Sequence, residues 1–232
     1  MFHLETTDPW ILQCDFRAAV DFCVWVLERD GLRVAPFDRH EEGDGSLRSV
    51  GLTADEWRQW YTEVIQIQDQ MDRASQQQFR SWSGEMRRHH EQQAQPISHP
   101  FDLPLPPPLD LPPELTSKSS HPSEIWNGKT AVGKRLEELW RYYSSSSNKR
   151  KYWQWSDVRT RQLTNQLWHE VQPYSTKLET LLIRFVRYPY QADDCVPPVS
   201  IVIASTEEHL DAEDFRRRVL YTVEELIARK NS

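Results

Sequence analysis

The chain has 232 residues, a formal net charge of −7 and 38% hydrophobic residues, with a mean hydropathy of −0.74. Ten Trp and sixteen Tyr and Phe exclude wholesale disorder, because disordered chains are poor in aromatics, and they are numerous enough to build two modest cores. The acidity excludes bulk electrostatic binding to nucleic acid or membrane, and the lack of any run of eighteen uninterrupted apolar residues excludes a spanning helix.

The charge is unevenly spread. Residues 1–95 carry 17 acidic against 10 basic side chains, residues 96–123 carry 3 against 1, and residues 124–232 carry 15 against 17. The three cysteines, Cys14, Cys23 and Cys195, are odd in number and match no metal or redox spacing. The N-terminus MFHLETTDPW has neither a basic nor an apolar leader region, so a reduced, cytoplasmic location is expected.

In chain order, Trp10–Leu12 fits a short strand or the beginning of a helix. A helix over Phe16–Asp30 follows, with Asp15 as N-cap and Gly31 beyond its end. Its apolar residues cover more than half the circumference, which predicts the most buried helix of the first module, with Cys23 a buried small hydrophobe. Leu32–Val50 reads as a loop with a polar tip at Glu41–Gly45. Thr53 and Glu56 form a capping box opening a helix over Thr53–Ser81, extending to Gln93 if Ser83-Gly84 does not interrupt it. Trp57, Trp60, Tyr61, Val64, Ile67, Met71 and Ala74 form its apolar stripe, continued by Phe79, Trp82 and Met86.

Nine of the fifteen prolines fall between Pro96 and Pro122. Each removes an N–H donor and holds φ near −65°, so this stretch excludes helix and central strand and predicts an extended strap or linker. The expected organisation is therefore an acidic helical module over 1–95, the strap over 96–123 and an α+β module over 124–232. Pro104 and Pro107 carry a P-x-x-P spacing that aromatic grooves read. The interleaved leucines favour a strap laid on the chain's own Trp-rich surface.

Beyond the strap, a helix is expected to end at Tyr143, with Val132, Leu136, Leu139, Trp140 and Tyr143 on one face, before the serine run Ser144–Ser147. Another fits Asp157–Gln172, with Ser156 as cap and Leu163, Leu167, Trp168 and Val171 inward. Leu178–Tyr188 and Pro198–Ala204 then change period and predict an antiparallel pair joined through Pro189–Pro197. A last helix over Asp211–Arg229 turns Phe215, Val219, Val223, Leu226 and Ile227 inward. The fold class is α+β, predominantly helical, with a small antiparallel sheet and a final helix.

Several motifs bear on possible chemistry. Gly128–Lys134 satisfies the first part of a phosphate-binding loop. The next residue is Arg135 where Mg²⁺ chemistry requires Ser or Thr, and HPSEIWN before it is no buried strand, so a helix start is favoured. His89 and His90 are adjacent and lack a second ligand at helical spacing, as does His169, so zinc chelation is unsupported. Cys195 with His169 or His209 would be a nucleophile pair that only a fold could assemble. Asp193 and Asp194 would be paired carboxylates, but no further carboxylate and lysine follow on Val199–Ala204. Trp153 and Trp155 lack the flanking polar groups of a sugar platform.

Lys134–Arg161 is the strongest functional candidate. It holds eight cations against Glu137, Glu138 and Asp157, interleaved with six aromatics. Cations neutralise phosphates and aromatics stack on bases, which is how single strands are held. The candidate patch is Lys149, Arg150, Lys151, Tyr152, Trp153, Trp155, Arg159 and Arg161. The plainer reading, aromatics in the core and cations in solvent, is favoured over it. No cofactor, metal or catalytic residue is expected. The expected function is a non-catalytic cytosolic interaction protein with a protein partner or a second copy of itself. Nucleic-acid binding is the alternative, and an enzyme site assembled only in three dimensions a third.

Overall fold

The computed structural model describes residues 10–39, 49–93, 113, 121–145, 162–206 and 211–232. Its elements run β1 (Ile11–Phe16), α1 (Ala18–Arg29), α2 (Ala54–Gln93), a 3-10 turn (Pro122–Ile125), α3 (Thr130–Ser145), α4 (162–171), a 3-10 turn (Gln172–Tyr174), β2 (Thr180–Val186), β3 (Ala192–Val196), β4 (Ser200–Ala204) and α5 (Ala212–Lys230). The fold is α+β and predominantly helical, as the periodicities imply. No helix among the described residues is long and apolar enough to cross a membrane.

The four strands form one mixed sheet in the order β1-β2-β4-β3. β1 is parallel to β2 and β2 to β4, while β3 alone runs antiparallel, against β4. This corrects the expected antiparallel pairing of Leu178–Tyr188 with Pro198–Ala204: those segments are parallel neighbours. The expected connection between them contains the edge strand β3. The reason is burial. LLIRFV and SIVIA are near-continuous apolar runs because both faces of the central strands are covered, the usual condition of parallel strands.

Alternate residues supply two cores. Leu181, Ile183, Phe185, Ile201, Ile203 and Cys195 face α4 and α5, while Val186, Val196, Val202 and Ala204 face α1, α2 and α3. Leu12 of β1 packs in the core below α4 and α5, and β1 is hydrogen-bonded to β2 from Ile11 to Phe16. Residues on either side of the proline stretch therefore share one sheet and contribute to both cores. The segment 96–123 is not a boundary between cores. Most of the strap lies outside the described residues, but its last turn is pinned: the Trp60 indole donates to the Pro122 carbonyl at 2.8 Å.

Local signals in the sequence explain the ends of the helices. α1 closes in a Schellman motif, with Gly31 at φ +61°, its amide on Glu28 O at 3.2 Å and the Leu32 amide on Leu27 O at 3.1 Å. Its start differs from expectation. The strand runs through Asp15, and Arg17 occupies the cap position without a side-chain bond to the helix's first amides. The capping box of α2 forms as read, with the Thr53 amide on the Glu56 carboxylate at 2.9 Å and the Glu56 amide on Thr53 Oγ1 at 3.2 Å. α2 continues unbroken through Ser83-Gly84 to Gln93. Asp211 caps α5 through the Glu213 amide at 2.6 Å.

Candidate functional site

The buried face of α2 changes chemistry midway. Trp57, Trp60, Tyr61, Val64 and Ile65 are buried apolar residues, but the next buried residues are Gln68, Asp69 and Asp72. Ile67 and Met71, expected on the inward stripe, are only half-buried. From Arg58 to Gln76 the helix crosses the strands in their spatial order. Arg58 binds Asp194 of β3 at 2.6 and 3.2 Å, and Ser200 of β4 donates to Asp69. Arg184 of β2 binds Asp69 at 2.8 Å and Asp72 at 2.9 Å, and Gln76 donates to Gln13 of β1. The eighteen residue steps from Arg58 to Gln76 span about 27 Å of helix against about 14 Å of sheet width, so the crossing is oblique.

Arg184 is the centre of this seam and is wholly buried. Asp15, its register partner on β1, approaches it at 3.5 Å, and Arg17 completes the cluster through Asp15 at 2.8 Å and through Asp72. Desolvation pushes Asp69 up to about 6 against the opposing pull of Arg184. It raises Asp72 as well. Burial alone would lower Arg184, but the carboxylates of Asp15, Asp72 and Asp69 outweigh it and hold the guanidinium charged. Asp69 Oδ2 and Arg184 Nε have no hydrogen-bond partner among the described residues.

A second buried acid, Asp21 of α1, accepts from the Arg187 amide at 2.6 Å and from the Tyr143 hydroxyl at 2.5 Å, and pairs with the Arg187 guanidinium at 3.4 Å. Tyr143 in turn stacks on Trp140 and lies tilted against Phe22, so α1, α3 and the end of β2 meet there.

The residues singled out from the sequence fall in different places. Asp193 and Asp194 are not a carboxylate pair. They point to opposite faces of β3, Asp193 into the Arg218 guanidinium of α5 at 3.0 Å and Asp194 into Arg58 of α2. Cys195 is buried, its Sγ 3.2 Å from the Thr222 carbonyl, and desolvation pushes its thiol up to about 12. His169 is exposed on α4 and does not approach it; His209 lies outside the described residues. Cys23 likewise donates to the Ala19 carbonyl, and burial raises its thiol well above the usual value. Among the described residues no three His, Cys, Asp or Glu side chains are placed to hold a metal.

Gly128–Lys134 leads from a 3-10 turn, not a strand, into α3. A Cβ on Gly128 would lie 2.2 Å from the Trp126 ring, so the glycine serves close packing rather than a phosphate cradle. In the basic-aromatic segment, Trp140 is core, Arg135 pairs with Glu138 at 2.6 Å and Arg141 pairs with Glu137. Lys134, Arg141 and Tyr142 are exposed. Lys149, Arg150, Lys151, Tyr152, Trp153, Trp155, Arg159 and Arg161 lie outside the described residues. A shallow cleft of about 480 Å³ between α4 and the start of α5 is lined by Leu167, Glu170, Glu213, Phe215 and Arg216, with a Glu170–Arg216 ion pair at 3.0 Å.

Sequence reasoning missed the Arg184 seam. Two signals pointed to it: an arginine inside LLIRFV must find buried partners, and Trp57, Tyr61, Ile65 and Asp69 follow one another at four-residue spacing on one helix face. Compared with protein-family models, with curated proteins and with solved structures, the chain matches none of them.

Proposed function

We propose that this chain is a non-catalytic interaction protein of the cytosol, an adaptor or assembly subunit that binds a protein partner through exposed aromatic and helical surface. One observation carries the reading. Each buried aspartate among the described residues is ion-paired with an arginine from a different part of the fold: Asp21 with Arg187, Asp69 and Asp72 with Arg184, and Asp194 with Arg58. Such groups lock elements together and leave little acid–base capacity at a surface a substrate could reach. Among the described residues, the aromatics that face solvent, Tyr142 at 58% and Tyr221 at 71% exposure, lie on separate helices and suit contact rather than chemistry.

The test compares capture by the full chain with capture by Tyr142→Ala/Tyr221→Ala, whose circular dichroism and melting temperature should be unchanged. Loss of a specific retained protein in the variant supports the reading. A strictly monomeric wild-type chain that retains nothing more than the variant overturns it.

The second reading is a nucleic-acid-binding accessory protein. Lys134, Arg141 and Tyr142 are exposed on α3 and lead into the cations at 149–161. It requires binding of a labelled single strand at low salt that weakens with added salt and is lost when Lys149, Arg150 and Lys151 are replaced. No binding at low salt removes it.

A further inference from the structure

The attachment of α2 to the sheet is hydrophobic over Trp57–Ile65 and polar over Gln68–Gln76. In the polar half, three carboxylates (Asp15, Asp69 and Asp72) are in ion contact, among the described residues, with two guanidiniums, Arg17 and Arg184. The group at issue is Asp69, the deepest of the three. Arg184 faces it from β2 and Ser200 from β4; Asp72 and Arg73 flank it on α2, Arg17 lies behind Asp72, and Asp15 of β1 lies behind Arg184. Arg73 makes no ion contact with it among the described residues. A carboxylate as deeply buried as Asp69 is costly to ionise, and carboxylates that share a site relieve that cost by retaining a proton. Asp69 is where the proton fits. It lacks the second guanidinium that Asp72 has, and its Oδ2 has no other hydrogen-bond partner among the described residues.

We propose that the polar half of the α2–sheet seam is a proton-dependent clasp, in which one proton held on Asp69 docks residues 66–76 against β1, β2 and β4 and its loss loosens them. The sign follows from linkage. Asp69 binds its proton more tightly when docked, where its pKa is raised to about 6, than when released and solvated. A fall in pH therefore favours docking and a rise favours release. The hydrophobic anchor at Trp57–Ile65 and the Arg58–Asp194 pair keep the first turns in place, so the change is confined to the middle of the helix.

Hydrogen exchange on the full chain tests this, with rates corrected for the intrinsic effect of pH. Protection of amides 66–76 should fall about tenfold between about pH 5 and about pH 8 in the wild type. In Asp69→Asn, whose side chain is neutral at every pH, it should be independent of pH and close to the wild type's acid level. A pH-independent wild type, an equal fall in the variant, or weaker protection in acid overturns the proposal. If Asp69→Asn does not fold, a ¹³C titration of the aspartate carboxyls in the wild type decides. One midpoint near 6 sustains the clasp, and all midpoints below about 4.5 overturn it.

Discussion

Arg58 of α2 and Asp194 of β3, 136 residues apart, form a two-point ion pair at 2.6 and 3.2 Å. Asp194 is buried while Arg58 is about one-third exposed, so the arginine acts as a lid over a carboxylate that desolvation would otherwise force to take up a proton. The pair sets where the long helix enters the edge of the sheet. Arg58→Ala leaves Asp194 buried and unpaired and should cost about 3 kcal/mol by chemical denaturation. Arg141→Ala, which breaks the exposed pair with Glu137, should cost about 0.5 kcal/mol or less. Equal losses in the two variants would contradict this assignment.

Gly128 and Gly84 should respond oppositely to alanine. At Gly128 the added carbon would overlap the Trp126 ring, which must swing aside; a loss of about 1–3 kcal/mol and a shift in tryptophan fluorescence are expected. At Gly84, inside α2, no described atom lies within 4 Å of that carbon, so Gly84→Ala should stabilise by up to about 1 kcal/mol. Thermal unfolding of both variants checks the pair of signs.

Thr53→Ala removes the acceptor for the Glu56 amide and should cost about 1 kcal/mol. The Glu56 carboxyl is held below its usual value of 4.5 by its hydrogen bonds to the Thr53 amide and hydroxyl. Its contribution is therefore present above pH 4.5 and lost as the pH falls through the lower, folded value. Glu56→Gln compared with wild type by denaturation across this range should show a difference at neutral pH that disappears in acid.

The thiols should be inert in the folded protein. Cys23 and Cys195 are buried, and desolvation raises them and Cys14, the last to about 12. A chromogenic disulfide reagent at pH 8 should titrate no thiol rapidly in the native chain and all three in denaturant. A fast-reacting native cysteine would reopen the question of a nucleophile.

The sequence by itself determined the helices, because their signals are local. The capping box at Thr53, the glycine beyond Asp30 and the Asp211 cap are satisfied within one or two turns, and the inward residues of α3, α4 and α5 show in their own 3–4 spacing. Only the tertiary structure decided the sheet and the seam. Whether Leu178–Tyr188 lies parallel or antiparallel to Pro198–Ala204 depends on which faces are covered, and β3 was hidden because Asp193 and Asp194 read as a solvated loop until Arg218 and Arg58 were brought to them. In the same way Asp69 and Asp72 stand outside the apolar stripe expected of α2. What makes them interior is an arginine more than a hundred residues away, and a charge can be buried only when the fold delivers its counter-charge.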